Sequence, residues 1–390
     1  MRASPRREAG TASPVRGVFS ANARKYGRIC LFFPLKVQAV PADTGSLRWG
    51  NNMARLNSHA LSSWITAAAV AHPHDLARHV AERTGVTRPT ANKALQRLVE
   101  AQWLVRDGTP RRPHHRPGLL RQVVQHYDLQ GLQEDLPWLR DFAPFFTLPT
   151  AVHRMVQHAF YELVNNAADH SGGSRVTVSL RQTPTQAQLL VSDNGRGVFD
   201  TIEEHFAIDD PTLAMLELSK GKLTTAPICH TGRGLFFTAR MADVFDLHAN
   251  GAAFQRREWE PLGWQPGRPL NHQGTSVYAA ISLDTSRTID SVLQAYSLDG
   301  EGVGFERTVV PLCLLASDQA ELASRAQARR VAARLQSFRR VDVDFGGVSL
   351  IGHGFADELF RVQAGTLEQL DLVPINMSPA VAAMVNSIHR

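Results

Sequence analysis

Cysteine is scarce in this chain: only Cys30, Cys229 and Cys313 occur in 390 residues. No two of them stand at the close spacing of a zinc knuckle or a redox pair, so neither is expected, and a reducing, cytoplasmic setting is the default. Long apolar runs are missing as well. The one N-terminal candidate, Ile29 to Val40, is broken by Pro34 and Lys36. Nothing approaches the roughly 20 residues that span a bilayer, so no membrane association is expected. What is present is ordinary for a globular protein, with 43% hydrophobic and 20% charged residues, and that excludes wholesale disorder. The formal charge of +6 suits an anionic partner such as nucleic acid, although arginines in the first thirty residues supply part of the excess. Because a single core rarely grows past about 250 residues, the length allows two or three domains, and three are expected. Residues 1–52 read as a disordered leader or as a translation start set too early, with Met53 as the true beginning.

Residues 59–118 carry a helical pattern that ends in a basic, Pro- and His-rich stretch. Asp75 is placed to cap a helix with Leu76, Ala77, Val80 and Ala81 on one face, and Gly85-Val86 supplies a tight turn. Thr87 caps the next helix, with Pro89 in its first turn. There Ala91, Ala94, Leu95, Leu98 and Val99 recur at helical spacing and leave Arg88, Thr90, Asn92, Lys93, Gln96 and Arg97 outward. Trp103 to Arg106, followed by Asp107-Gly108-Thr109 and by Arg111, Arg112 and Arg116, reads as a hairpin with a basic tip. The unit resembles a winged helix-turn-helix of the bacterial transcription-regulator type. The resemblance implies DNA as a partner, with Arg88, Thr90, Asn92, Lys93 and Arg97 facing the major groove and Arg111 and Arg112 reaching phosphates. Winged helices also serve for packing or dimerisation alone. A connector rich in Pro, Gln and Trp is expected from Gly118 to Pro149.

The chemistry lies in residues 145–285. Thr150 is placed to cap a helix whose apolar stripe is Val152, Met155, Val156, Phe160, Leu163, Val164 and Ala167. Beside that stripe stand Glu162, Asn166 and Asp169, within about 60° of one another on a helix of 3.6 residues per turn. Two strands follow, Arg175 to Arg181 and Gln186 to Ser192, and the second leads into Asp193-Asn194-Gly195-Arg196-Gly197. A polar, irregular stretch from Asp200 to Thr231, including Lys220, Gly221 and Lys222, separates this from Thr231-Gly232-Arg233-Gly234-Leu235, which opens a helix running to about Ala242. Gly274-Thr275 opens a further strand.

Tyr161-Glu162-Leu163-Val164-Asn165-Asn166 closely resembles the N-box of the GHKL superfamily, the Bergerat-fold ATP domains of gyrases, chaperones, sensor kinases and anti-sigma factors. Asp193-x-Gly195-x-Gly197 and Gly232-x-Gly234 resemble its two glycine boxes, and the order of the boxes is that of the superfamily. The resemblance implies ATP and Mg²⁺ as ligands. It gives Asn166 the role of magnesium ligand, which suits a hard cation. It makes Glu162 the residue that orients or deprotonates the attacking nucleophile. Asp193 would accept the exocyclic amine of adenine and repel the carbonyl of guanine. Asp169, Gly195, Gly197, Gly232, Gly234, Leu235 and Thr275 complete the expected ATP-binding set, with the helix start after Gly232 facing phosphates.

Residues 305–390 alternate: a strand Val309 to Leu315, a helix Ser324 to Phe338, a strand Val341 to Phe345, a helix from Phe355 to Val362, a strand Leu370 to Ile375 and a helix Pro379 to Ile388. This predicts a small α/β layer with some parallel strands. Ser324 to Arg330 and Val341 to Phe345 through Gly354 to Phe360 resemble the STAS-like regulatory domain, which implies a protein partner. The phosphorylatable serine of true STAS antagonists has no counterpart in Gly352-His353-Gly354-Phe355. The basic run Arg325, Arg329, Arg330 and Arg334 reads as a solvated helix face. The expected fold is thus α+β and α/β multidomain: winged helix-turn-helix, then GHKL α/β sandwich, then small STAS-like domain. The expected function is an ATP-binding cytoplasmic regulator in which Mg-ATP binding or hydrolysis controls DNA binding or partner capture. The alternative is a serine/threonine protein kinase of the anti-sigma-factor type that acts on a separate protein; a binding scaffold with negligible turnover is the third reading. No phospho-accepting histidine motif precedes Thr150, which disfavours a sensor autokinase.

Overall fold

The computed structural model describes residues 58–224, 232–302, 304–316, 322–366 and 369–388, all in one compact unit of the chain. The expected leader, Met53, Cys30, Cys229 and Thr231 lie outside the described residues.

Three helices, α1 (Ser58–Ala71), α2 (Leu76–Thr84) and α3 (Arg88–Glu100), precede an antiparallel hairpin of β1 (Leu104–Thr109) and β2 (Arg112–Pro117). They close over a small core of their own, with Ile65, Leu76, Val80, Ala91, Leu95 and Leu104 buried. Gly85 ends α2 in the left-handed region at φ 71°, the conformation a side chain opposes. Thr87 caps α3, accepting the Thr90 amide at 3.4 Å. Asp75 does not cap α2 with its side chain as expected: its carboxylate is taken by the Arg78 guanidinium at 2.6 Å, a charged donor that outcompetes a backbone amide, and lies 3.2 Å from His72 Nδ1.

The expected connector holds a strand, β3 (Arg121–Asp128), separated from the end of β2 by three residues. That junction is tied to the winged helix: Gly118 N–H donates to the Trp103 carbonyl at 2.8 Å and Leu120 N–H to the Gln102 carbonyl at 3.0 Å. A methyl group on Gly118 would lie 2.0 Å from the Gln102 oxygen, so only glycine allows this approach. Further on, Trp138 and Phe142 are fully buried and stack edge-on against Phe160.

The middle of the chain continues with α4 (Thr150–His170), β4 (Arg175–Gln182), β5 (Gln186–Asp193), α5 (Val198–Phe206), α6 (Pro211–Lys220), α7 (Gly234–Met241), β6 (Val244–Ala249), β7 (Ala252–Arg257), β8 (Trp264–Pro266) and β9 (Thr275–Ser282). The strands form one antiparallel sheet in the order β3-β4-β5-β9-β6-β7-β8. The predicted apolar stripe of α4 is buried in full. Thr150 is the first helical residue rather than the cap; Pro149 takes the cap position, and its carbonyl accepts the His153 N–H at 2.8 Å. The segment expected to be polar and irregular after Asp200 instead forms α5 and α6, with Ala214, Met215 and Leu216 buried.

After α8 (Ile289–Gln294) come β10 (Arg307–Pro311), α9 (Arg325–Ala332), β11 (Arg340–Asp344), α10 (His353–Asp357), which widens into π-helical turns over Glu358–Gln363, β12 (Asp371–Ile375) and α11 (Pro379–Ile388). The three strands are parallel in the order β10-β11-β12, as alternation with helices requires. The first strand is shorter than expected, because Leu312–Leu314 winds into a 3₁₀ turn. The first helix also stops early. Ser324 and Gln327 close its start as a reciprocal capping box, but Arg334 at φ 59° ends the run, and Leu335–Ser337 is a separate turn.

One continuous apolar core runs from the seven-stranded sheet into this C-terminal layer. Phe305, 1% exposed, stands at the junction, its ring centroid 4.8 Å from Phe236, 5.0 Å from Phe237 and 5.4 Å from Phe338. Phe305→Ala is expected to cost about 3–5 kcal/mol of unfolding free energy in denaturant titration; a loss below about 1 kcal/mol would show that the two layers do not share a core.

Candidate functional site

The side of α4 next to its buried stripe carries Glu162 and Asn166, both half-buried, and Asp169, exposed near the helix end. Glu162 faces Gly234, the first residue of α7. A methyl group at Gly234 would fall 1.9 Å from Glu162 Oε2. The N-box and the second glycine box, 72 positions apart by number, therefore meet at one point, and the absence of a side chain there makes room for the carboxylate. His158, one turn before Glu162, brings Nδ1 to 4.0 Å from Oε1; burial pushes its pKa down, and the Glu162 charge opposes that shift. Among the described residues no hydrogen bond occupies the Asn166 side chain.

Asp193 closes β5 and is 6% exposed. Its Oδ1 accepts the amide of Gly195 at 2.8 Å and that of Thr275 at 3.1 Å. Burial pushes its pKa up, and the two amide donors oppose that shift. Thr275 Oγ1 in turn accepts the Val198 N–H at 3.0 Å, so the first glycine turn is pinned to β9 at both ends. Gly195 lies against the end of α4, where a methyl group would come 2.2 Å from the Ser171 carbonyl. Gly197, at φ 91°, takes a conformation that side chains oppose.

Two residues that carry no obvious motif complete this corner. Asn250 Nδ2 donates to the Arg196 carbonyl at 2.7 Å and to Asp200 Oδ2 at 2.6 Å, while its Oδ1 accepts the Gly274 amide at 2.9 Å. It sits in the turn between β6 and β7, and the Asn250-Gly251 pair is a hairpin signal that could have drawn attention to it. His272 Nε2 is within 2.9 Å of Ser192 Oγ and 2.8 Å of the Asp193 carbonyl. Nothing in its sequence context marks it.

At the other end, Gly232 at φ 65° sits against the Leu223 backbone, Leu235 is half-buried, and the amides at the start of α7 follow. Lys220 and Lys222, expected in a polar stretch, are turned away to the C-terminal layer. Lys220 is 1% exposed, with Nζ 2.7 Å from Glu217 Oε1 and 2.9 Å from the Ala333 carbonyl. Arg325, Arg329 and Arg330 form the expected solvated face, the first two pairing at the surface with Asp357 and Glu358, while Arg334 is half-buried and pairs with Glu217.

The winged helix presents Arg88, Thr90, Asn92, Lys93 and Arg97 on the exposed side of α3, with Arg111 and Arg112 exposed at the hairpin tip. Thr90 is engaged locally, its hydroxyl 2.9 Å from that of Thr87, and Arg116 pairs with Asp107 at 2.9 Å. No helix among the described residues is long and apolar enough to cross a membrane.

Known families match the same three stretches in the same order. Residues 151–246 match the family of histidine kinase-, DNA gyrase B-, and HSP90-like ATPases. Residues 67–116 match the MarR family, and residues 327–382 match a STAS-like domain of unknown function. No curated protein matches the chain. The chain thus combines a winged helix, a GHKL-like ATP domain and a STAS-like layer, a set that fits an ATP-dependent regulator.

Gly234→Ala is expected to displace Glu162 and the start of α7 together, lowering ATP-analogue affinity at least tenfold by calorimetry. Unchanged affinity would mean that this meeting point lies away from the nucleotide.

Proposed function

We propose that the chain is a regulator in which Mg-ATP occupancy of the central domain sets the disposition of the winged helix on DNA. The observation that carries this is the meeting of four separated sequence boxes at two points along α4: Glu162 against Gly234, and, beside Ser171 at the helix end, Gly195 held with Thr275 by Asp193. The residues present fit an adenine nucleotide. Asp193 Oδ1 is held by two amides, which leaves Oδ2 to accept the adenine amine. Asn166 offers an oxygen for Mg²⁺. Among the described residues no group of three or more His, Cys, Asp or Glu side chains could hold a metal alone, so phosphate oxygens and water would complete the octahedron. When bound, Mg-ATP supplies a γ-phosphoryl group ready for transfer. Glu162 then orients or deprotonates the incoming hydroxyl or water, and the α7 amides offset phosphate charge.

Output to DNA runs through a short connection. Only Gly118, Leu119 and Leu120 separate the hairpin from β3, and α1 also packs on β3. Arg121, at the start of β3, is largely buried, donating to Gln182 Oε1 at 3.0 Å and to the Phe145 carbonyl at 2.9 Å. With so little slack, a shift of the sheet edge moves α3 as a body. Protein kinase activity on a separate chain uses the same Glu162 chemistry with a hydroxyl acceptor.

Asp193→Asn should weaken ATP binding, whereas Glu162→Ala should spare binding and stop turnover. Radiolabelled γ-phosphate on a protein acceptor would favour the kinase, free phosphate the ATPase switch; equal loss of binding in both variants would contradict the assigned roles. For the DNA face, Lys93→Ala or Arg88→Ala should lower the slope of log affinity against log salt by about 0.9 for each phosphate no longer neutralised. A protein that ignores DNA at low salt has no such output.

A further inference from the structure

Lys220 is the least expected residue in the molecule: a lysine, fully buried, at the end of a helix of the ATP domain, whose ammonium reaches into another layer. Besides Glu217, Nζ donates to the carbonyls of Ala333 at 2.9 Å and Arg330 at 3.3 Å, the last turn of α9. The Arg330 carbonyl also accepts the Ala333 amide at 3.3 Å, and the carbonyls at this end of the helix carry its negative dipole end, so a cation is the fitting cap. Reciprocally, Arg334, just beyond that helix, binds Glu217 at 2.9 Å and covers the Phe206 ring at 4.2 Å. Thr308 of β10 donates to the Lys220 carbonyl at 2.7 Å, and Lys222 donates to the Ser337 carbonyl at 2.6 Å and lies 4.4 Å from the Phe338 ring.

The same junction touches the nucleotide corner. Gly234, against Glu162, begins α7; Phe236 and Phe237 of α7 stack on Phe305, and Phe305 stacks on Phe338. Gly221, the residue after Lys220, leaves space that a methyl group would fill 2.6 Å from Phe305 Cζ. A packed aromatic chain therefore runs from α7, which Gly234 begins, to Phe338, one short turn beyond the end of α9.

We propose that Lys220 is a latch by which nucleotide occupancy tightens the STAS-like layer onto the ATP domain, making that layer a reader of the ATP site. The inference rests on the ATP-binding reading above. Ordering α7 around phosphates stiffens the aromatic chain and holds the Lys220 cap in place. Linkage then requires the latch to strengthen nucleotide binding by the same factor as nucleotide strengthens the latch.

The test is hydrogen exchange of residues 325–338 in the full chain, with and without a non-hydrolysable Mg-ATP analogue, whose binding is followed in parallel by calorimetry. The analogue should slow exchange there about threefold or more. Lys220→Met should abolish the slowing and weaken the analogue about fivefold. Lys222→Met, at a half-buried position, should give a smaller change in the same direction and serves if the first variant does not fold. Heat of binding with no change at 325–338, or a Lys220→Met protein that responds like the parent, overturns the latch. No heat with the parent protein overturns the ATP-binding reading itself, and the nucleotide control of the latch with it.

Discussion

A buried carboxylate at the end of a central strand is the constraint on which the rest of this architecture depends. Asp193 Oδ1 holds two backbone amides from segments 80 positions apart by number, those of Gly195 and Thr275. One acceptor thereby fixes the first glycine turn, the start of β9 and, through Thr275 Oγ1, the first turn of α5. An ionised group is costly to bury unless its lone pairs are used, and here the donors are backbone amides that cannot rotate away. The second oxygen is left with a fixed direction, which the proposed recognition of an adenine edge would use. Asn250 and His272 act around it as braces, tying the neighbouring carbonyls and the Gly274 amide.

From that corner the structure extends in two directions by different physics. Toward the winged helix the connection is short and hydrogen-bonded at Gly118 and Leu120, while the cores stay separate. Toward the C-terminal layer there is a shared apolar core, with Phe305 at its centre and a buried lysine capping a helix across the boundary. A short tether and a fused join would transmit a change differently under the proposed function: the first would move a body, the second would change how tightly two layers hold.

Much of this was legible in the residues because it is local. The α4 stripe, the two strands before Asp193, the glycine boxes and the C-terminal alternation all follow from periodicity or from backbone freedom at particular positions. What was hidden depends on partners far away in the chain. β3 was hidden in a stretch with the look of a connector because Gln122, Gln125 and His126 give it no clean alternation, and its identity as a strand comes from pairing with β4. The insertion of β9 between β5 and β6 is likewise a matter of long-range pairing. Lys220 read as part of a polar, irregular stretch because its acceptors, the Arg330 and Ala333 carbonyls, stand at the end of a helix over a hundred residues on. Asp75 and Thr150 failed as caps for local reasons, one captured by Arg78 and the other preceded by Pro149.

The most direct test of the site built around Asp193 is a comparison of bases on the unmodified chain. Calorimetric titration with Mg-ATP and with Mg-GTP should give clear heat for the adenine nucleotide and little for the guanine one, since the carboxylate attracts an amine and repels a carbonyl. Equal heats for the two, or none for either, would contradict the account.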